Sequence, residues 1–138
     1  MSAFLNAYLN FDKNAREAME FYKSIFGGEL SMSTFGDFGA AQSEAEKTLV
    51  MHSQLTAPNG FKLMGADTPG HMQYKGAGNM SLSLSGDDDA TLRGYWDKLS
   101  PGATIVQPLT KAPWGDSFGM LTDRFGIAWL VNIGQPQA

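Results

Sequence analysis

Residues 4–11 alternate in character, with Asn6, Tyr8 and Asn10 on one side and Leu5, Ala7, Leu9 and Phe11 on the other. A period of two marks a strand with one buried face. The pattern then changes to helical spacing, with Ala15, Ala18, Met19, Tyr22, Ile25 and Phe26 forming one apolar stripe that stops at Gly27 and Gly28. Asn14, three positions before Glu17, predicts a local cap for the free amides at the start of this helix. Strands are expected over 29–35, 48–57 and 61–66, the last two joined by the turn signal Pro58-Asn59-Gly60. Residues 36–47 show no period and read as a mobile loop of the kind that often serves as a lid or binding segment. Residues 67–78, glycine-rich and containing Pro69, read as a linker.

The same order then returns. Residues 79–85 alternate Asn79, Ser81, Ser83 and Ser85 with Met80, Leu82 and Leu84. Asp87, Asp88 and Asp89 suit the positive end of a helix whose stripe is Leu92, Tyr95, Trp96 and Leu99, closed by Pro101-Gly102. Further strands are expected over 103–108, 116–122 and 127–133. At an offset of 73 residues, Asn6 falls on Asn79, Met19 on Leu92 and Tyr22 on Tyr95, the signature of a duplicated unit. Strand, helix and three strands, twice over, predict an α+β fold of two paired βαβββ modules, with mixed sheets curved around a cavity. The modules are expected over about 3–67 and 78–134 of a single 138-residue domain.

Composition narrows the function classes. A net charge of −4 provides no basic field for nucleic acid or an anionic membrane. There is no cysteine, which excludes disulfides and thiolate metal sites. Only 17% of residues are charged while 43% are hydrophobic, which favours a homodimer that hides the excess apolar surface. The first residues, MSAFLNAYLNF, lack the basic start and small-residue cleavage site of a signal peptide, so a cytoplasmic location is expected.

Three segments carry a resemblance: NFDKNAREAMEFYKSIFGGEL, MHSQL and WGDSFGMLTDRFGIAW. Together they resemble the PhnB-like family of the vicinal oxygen chelate superfamily, which includes glyoxalase I, extradiol dioxygenases and the fosfomycin and bleomycin resistance proteins. The similarity spans nearly the whole chain. The turn Asp123-Arg124-Phe125-Gly126 resembles the acidic turn before the superfamily's last strand, with Arg124 where proline is frequent. The resemblance implies paired βαβββ modules and, in the metal enzymes, one ligand from the first and fourth strand of each module. Those positions fall here on Asn6, Met64, Asn79 and Leu130, and none is a histidine or a carboxylate. A shift of one residue offers Leu63 or Gly65, Gly78 or Met80, and Trp129 or Val131. A divalent metal needs harder or imidazole donors, so neither metal nor other cofactor is expected. Gly76-Ala77-Gly78 precedes a strand and lacks a third glycine, so it does not form the helix-opening loop of a nucleotide-type cofactor site.

The candidate ligand-binding residues are Asn6, Tyr8, His52, Asn79, Trp114 and Asp116. Asn6 and Asn79, equivalent in the repeat, are expected to face one cavity, where amides orient a carbonyl or hydroxyl or satisfy one another. His52, sharing a face with Val50, Gln54 and Thr56, suits a proton carrier, a ligand partner or a structural contact, since histidine as a type titrates near neutral pH. Trp114 suits stacking, and Asp116 suits proton transfer or the start of a strand. His71 reads as plain surface. The expected function is binding of a small organic molecule in a metal-free cavity. One alternative is an isomerase or lyase with His52 or Asp116 as general base, and another is a structural dimer with no ligand.

Overall fold

The computed structural model describes residues 3–76 and 78–135. The chain divides into two units, Met1–Gly76 and Ala77–Ala138. The first contains β1 (Ala7–Phe11), α1 (Ala15–Phe26), β2 (Glu29–Thr34), β3 (Val50–Thr56) and β4 (Lys62–Asp67). Its sheet runs in the order β1-β4-β3-β2, with β1 parallel to β4 and the other pairs antiparallel. The second contains β5 (Leu82–Gly86), α2 (Asp89–Leu99), β6 (Thr104–Lys111), β7 (Ser117–Thr122) and β8 (Ala128–Ile133). Its order is β5-β8-β7-β6, again with one parallel pair, β5 with β8. Both units are thus βαβββ modules with mixed sheets, the α+β class expected from the pattern.

In each unit the helix covers one face of the sheet. The α1 stripe of Ala15, Ala18, Met19, Tyr22, Ile25 and Phe26 is buried as its spacing predicts. Each large apolar side chain buried in this way contributes about 1.5–3 kcal/mol relative to exposure. Gly65 lies beneath the helix, where an added Cβ would come within 3.1 Å of the Met19 sulfur and the Phe11 ring. The shorter α2 buries Leu92, Trp96 and Leu99.

The helix starts differ. Asp88 caps α2 locally, accepting from the Thr91 N–H at 3.1 Å and the Thr91 hydroxyl at 2.8 Å. Asn14 makes no such bond. Its place is taken by Asp67, which accepts from the Ala15 N–H at 2.9 Å across 52 residues of sequence. Asp67 therefore closes β4 instead of opening a linker.

The opening strands are shorter than their alternation suggests, because a strand exists only where a neighbour pairs with it. The β1 ladder begins with Ala7 opposite Leu63, and the β5 ladder with Leu82 opposite Trp129. The core position matching Leu9 is Leu84, and Tyr22 and Ile25 of α1 match Trp96 and Leu99 of α2, so the structural repeat is longer than 73 residues. Asn6 and Asn79 are consequently not equivalent. Asn6 directly precedes β1, and Asn79 lies outside β5.

Residues 36–47, expected to lack regular structure, form most of two 3₁₀ turns, Gly36–Phe38 and Ala45–Thr48. Turns this short leave no readable period. At Gly36 an added Cβ would sit 2.8 Å from the Lys47 carbonyl oxygen, so the two ends of the segment are in close contact. The strand expected over 103–108 also differs, since β6 continues three residues beyond Pro108 to Lys111. It lies at a sheet edge and its ladder breaks register on both sides of Gln107, which accommodates a residue that has no N–H to donate.

Candidate functional site

In the first unit the sheet face opposite α1 is polar. Cross-strand pairing places Tyr8 beside Met64, Met64 beside Gln54, and Gln54 beside Ser31. The adjoining row contains Asn10 and Ala66, and Ser33 pairs with His52. Tyr8 and His52 meet on this face with ring centroids 6.1 Å apart and planes tilted by 32°. Partial burial pushes the Tyr8 phenol above its ordinary value of 10.0, so it is a neutral hydrogen-bonding group at physiological pH.

A bulge in β3 shapes this face. Ser33 pairs with His52 but Thr34 pairs with Val50, so Met51 is an extra residue. Val50 therefore turns into the core, fully buried, and does not share the His52 face as strict alternation would require. Its N–H donates to Asp67 Oδ2 at 2.9 Å. Met51 instead lines a cavity of about 340 Å³ together with Tyr8, Asn10, Phe35, His71 and Met72. His71, read from the sequence as plain surface, is exposed but belongs to this wall. The segment carrying it is tied down by Glu46, which accepts from the Gln42 N–H at 3.2 Å and the Gly70 N–H at 3.1 Å. These amides, and then the nearby His71, hold the Glu46 carboxyl below the usual glutamate value.

In the second unit the corresponding open face carries Ser83, Leu130, Met120 and Gln107 in one row and Ser85, Asn132, Phe118 and Thr110 in the next. Asp116 accepts from Asn132 Nδ2 at 3.1 Å. Trp114 is 67% exposed and meets Phe118 edge-on, with centroids 6.3 Å apart. It sits in a tight turn where Gly115, at φ +104°, donates its N–H to the Ala112 oxygen at 2.9 Å. The structure thus brings Tyr8 together with His52, and places Trp114 and Asp116 at one end of the second sheet. Asn6 and Asn79 are both exposed and outside strands. Sequence reasoning missed His71 and Met72, which depend on a folded-back segment. It also missed Phe118 and Gln107, although Phe118 lay in a strand where alternation alone put it two residues from Met120.

Residues 4–132 match the family model described as 3-demethylubiquinone-9 3-methyltransferase. The chain belongs to this family. It is 36% identical to protein PA1353 from Pseudomonas aeruginosa, a crystal structure that matches 98% of this chain and 100% of its own with a TM-score of 0.87. A putative 3-demethylubiquinone-9 3-methyltransferase, PhnB protein, from Bacillus cereus is 26% identical over 96% of this chain and 100% of its own, with a TM-score of 0.77. The fold extends to a glyoxylase/bleomycin resistance protein/dioxygenase domain from Frankia sp. EAN1pec, at 16% identity and a TM-score of 0.64 over 98% of this chain and 99% of that one. This PhnB-like chain therefore has the glyoxalase-like fold.

The superfamily's metal positions can be tested against the register of this PhnB-like chain. The residue paired with Met64 is Tyr8, not Asn6, and the residue paired with Leu130 is Ser83, not Asn79. Phenol, thioether, hydroxyl and alkyl groups do not make a divalent-metal donor set. Among the described residues, no three His, Cys, Asp or Glu side chains are grouped so as to hold an ion. No helix among them is long and apolar enough to cross a membrane.

Proposed function

We propose that this PhnB-like chain binds a small organic molecule on its open sheet faces and does so without a chelated metal. The observation that carries the reading is the Tyr8–His52 pair beside the cavity lined by Asn10, Met51 and His71. It joins two hydrogen-bonding rings to a flexible thioether wall, a combination that orients a polar group while adapting to an apolar one. The methyl transfer named in the family's description is not assigned to this chain. Gly76 and Gly78 lead towards β5, whereas a nucleotide-type cofactor is met at the start of a helix.

The test is native mass spectrometry and metal analysis of untagged protein purified from its own host. A bound organic mass at one per chain supports the proposal, and stoichiometric Ni, Zn, Mn or Fe overturns it. A second reading, an isomerase or lyase with a general base, is favoured by the placement of Asp116 against Asn132, which fixes one carboxylate oxygen and leaves the other for proton transfer. Turnover of a screened compound that is lost in His52→Ala or Asp116→Asn would favour this enzyme over a binder. A cytoplasmic homodimer is the assembly we propose, supported by the exposure of Phe4 (74%), Leu5 (98%) and Met80 (77%). Sedimentation velocity giving a monomer at micromolar concentration would reject the dimer.

A further inference from the structure

Two register breaks in β6 build a slot in the second unit. Ile105 pairs with Leu121 and Gln107 with Met120, so Val106 is an extra residue; Thr110 then pairs with Phe118, so a second extra residue lies between Gln107 and Thr110. The first break puts Ile105 and Gln107, normally on one side of a strand, on opposite faces. The second brings Gln107 and Thr110 onto the same face, alongside Met120 and Phe118. Bulges re-aim side chains in this way, and Pro108 stands within the second. Gly119 leaves the room it needs, since an added Cβ would lie 2.9 Å from Leu109 Cα and from the Trp96 ring.

The slot has a volume of about 410 Å³. Trp114 and Phe118, at right angles to one another within 30° (interplanar 61°), supply an aromatic wall and Met120 a polarizable floor. Gln107 and Thr110 add an amide and a hydroxyl. The one charged lining residue, Lys111, pairs with Ser117, whose hydroxyl accepts from Arg93 of α2, so Lys111 belongs to the opposite, helix-covered face. Asp116, held by Asn132, places a carboxylate on the open side.

From this we infer that the slot takes an uncharged planar aromatic ring bearing a hydroxyl or carbonyl group, with the ring against Trp114 and Phe118 and the polar group on Gln107. A carboxylate at the same position on the ring would find Lys111 turned towards the helix-covered face and would share the open side with the Asp116 carboxylate. The inference is carried by second-unit residues alone and does not depend on the Tyr8–His52 face.

The probe pair is 2-naphthol and 2-naphthoate, read by NMR on the three tryptophan indole N–H signals, assigned with Trp114→Phe. Trp96 (9% exposed) and Trp129 (2%) are buried, so a ligand in the slot moves the Trp114 signal and leaves theirs in place. We expect a saturable Trp114 shift with 2-naphthol and affinity at least about tenfold weaker for 2-naphthoate. Trp114→Ala, followed by isothermal titration, should weaken 2-naphthol about tenfold or more, and Gln107→Ala about threefold to tenfold. Trp114 is exposed and Gln107 lies on an edge strand, so both variants are expected to fold, with circular dichroism as the check. A non-saturating shift, equal affinity for the two probes, or unchanged binding in folded Gln107→Ala would each overturn the inference.

Discussion

Asp67 reaches back to Ala15 and holds the first amide of α1 at 2.9 Å, while its other oxygen holds the Val50 amide at the same distance. One buried carboxylate thus joins the end of β4, the start of the helix and the bulged end of β3. Asp67→Ala should destabilise the chain by about 2–4 kcal/mol, because it leaves two buried N–H donors without an acceptor. Asp67→Asn, which retains one acceptor oxygen, should cost less. Urea unfolding followed by tryptophan fluorescence measures both, and equal midpoints for Asp67→Ala and the parent chain would contradict the assignment.

Two glycines of the second unit should respond in opposite directions. Gly94, inside α2, has open space around an added Cβ, so Gly94→Ala should stabilise by about 0.5–1 kcal/mol through lower unfolded-state entropy and better helix propensity. Gly119→Ala should destabilise by about 1–3 kcal/mol, since its methyl group collides with the backbone at Leu109 and with the Trp96 ring. Thermal unfolding of the two variants gives the comparison directly.

Glu46 predicts a pH response. Its carboxyl is held low by the Gln42 and Gly70 amides, so its contribution is complete above the ordinary glutamate value and is lost as pH falls through the lowered one. The Gln42 and Gly70 amide resonances should therefore titrate together, with a midpoint below that of a free glutamate. Glu46→Gln should remove the titration and speed hydrogen exchange at both amides. Independent midpoints would separate the two contacts.

The phenol of Tyr8 predicts a change at the other end of the scale. Its value is raised by burial, so the folded state favours the neutral ring, and that preference is lost as pH rises from 10.0 through the raised value. Difference absorbance of tyrosinate between the parent chain and Tyr8→Phe should show the Tyr8 phenol ionising above pH 10.0. Ionisation at or below pH 10.0 would refute the desolvation seen on this face.

What could be read from the sequence follows from how local each cause is. The stripe from Ala15 to Phe26 and the acidic start of α2 depend on neighbours three or four residues away, and both stand as expected. The Asn14 cap failed because a competing acceptor arrives from Asp67, whose approach is a property of the folded sheet. The His52 face was legible except at Val50, because a single inserted residue reverses every side chain beyond it and alternation has no means of marking the insertion. His71 gave no signal either, since its place beside Tyr8 and Asn10 depends on a segment secured by Glu46. For the metal positions, register was not readable. The partners of Met64 and Leu130 proved to be Tyr8 and Ser83.

The broken ladder of β6 also bears on how the chain behaves in crowded solution. Ile105 (42% exposed) and Val106 (59%) lie on an edge strand, where a straight run of such residues would invite other molecules to add strands and begin a fibril. Two insertions and a proline bend that border out of register, so an incoming segment finds no continuous row of donors and acceptors to copy. The exposed apolar residues at this rim are thereby denied a ladder along which a foreign strand could be added.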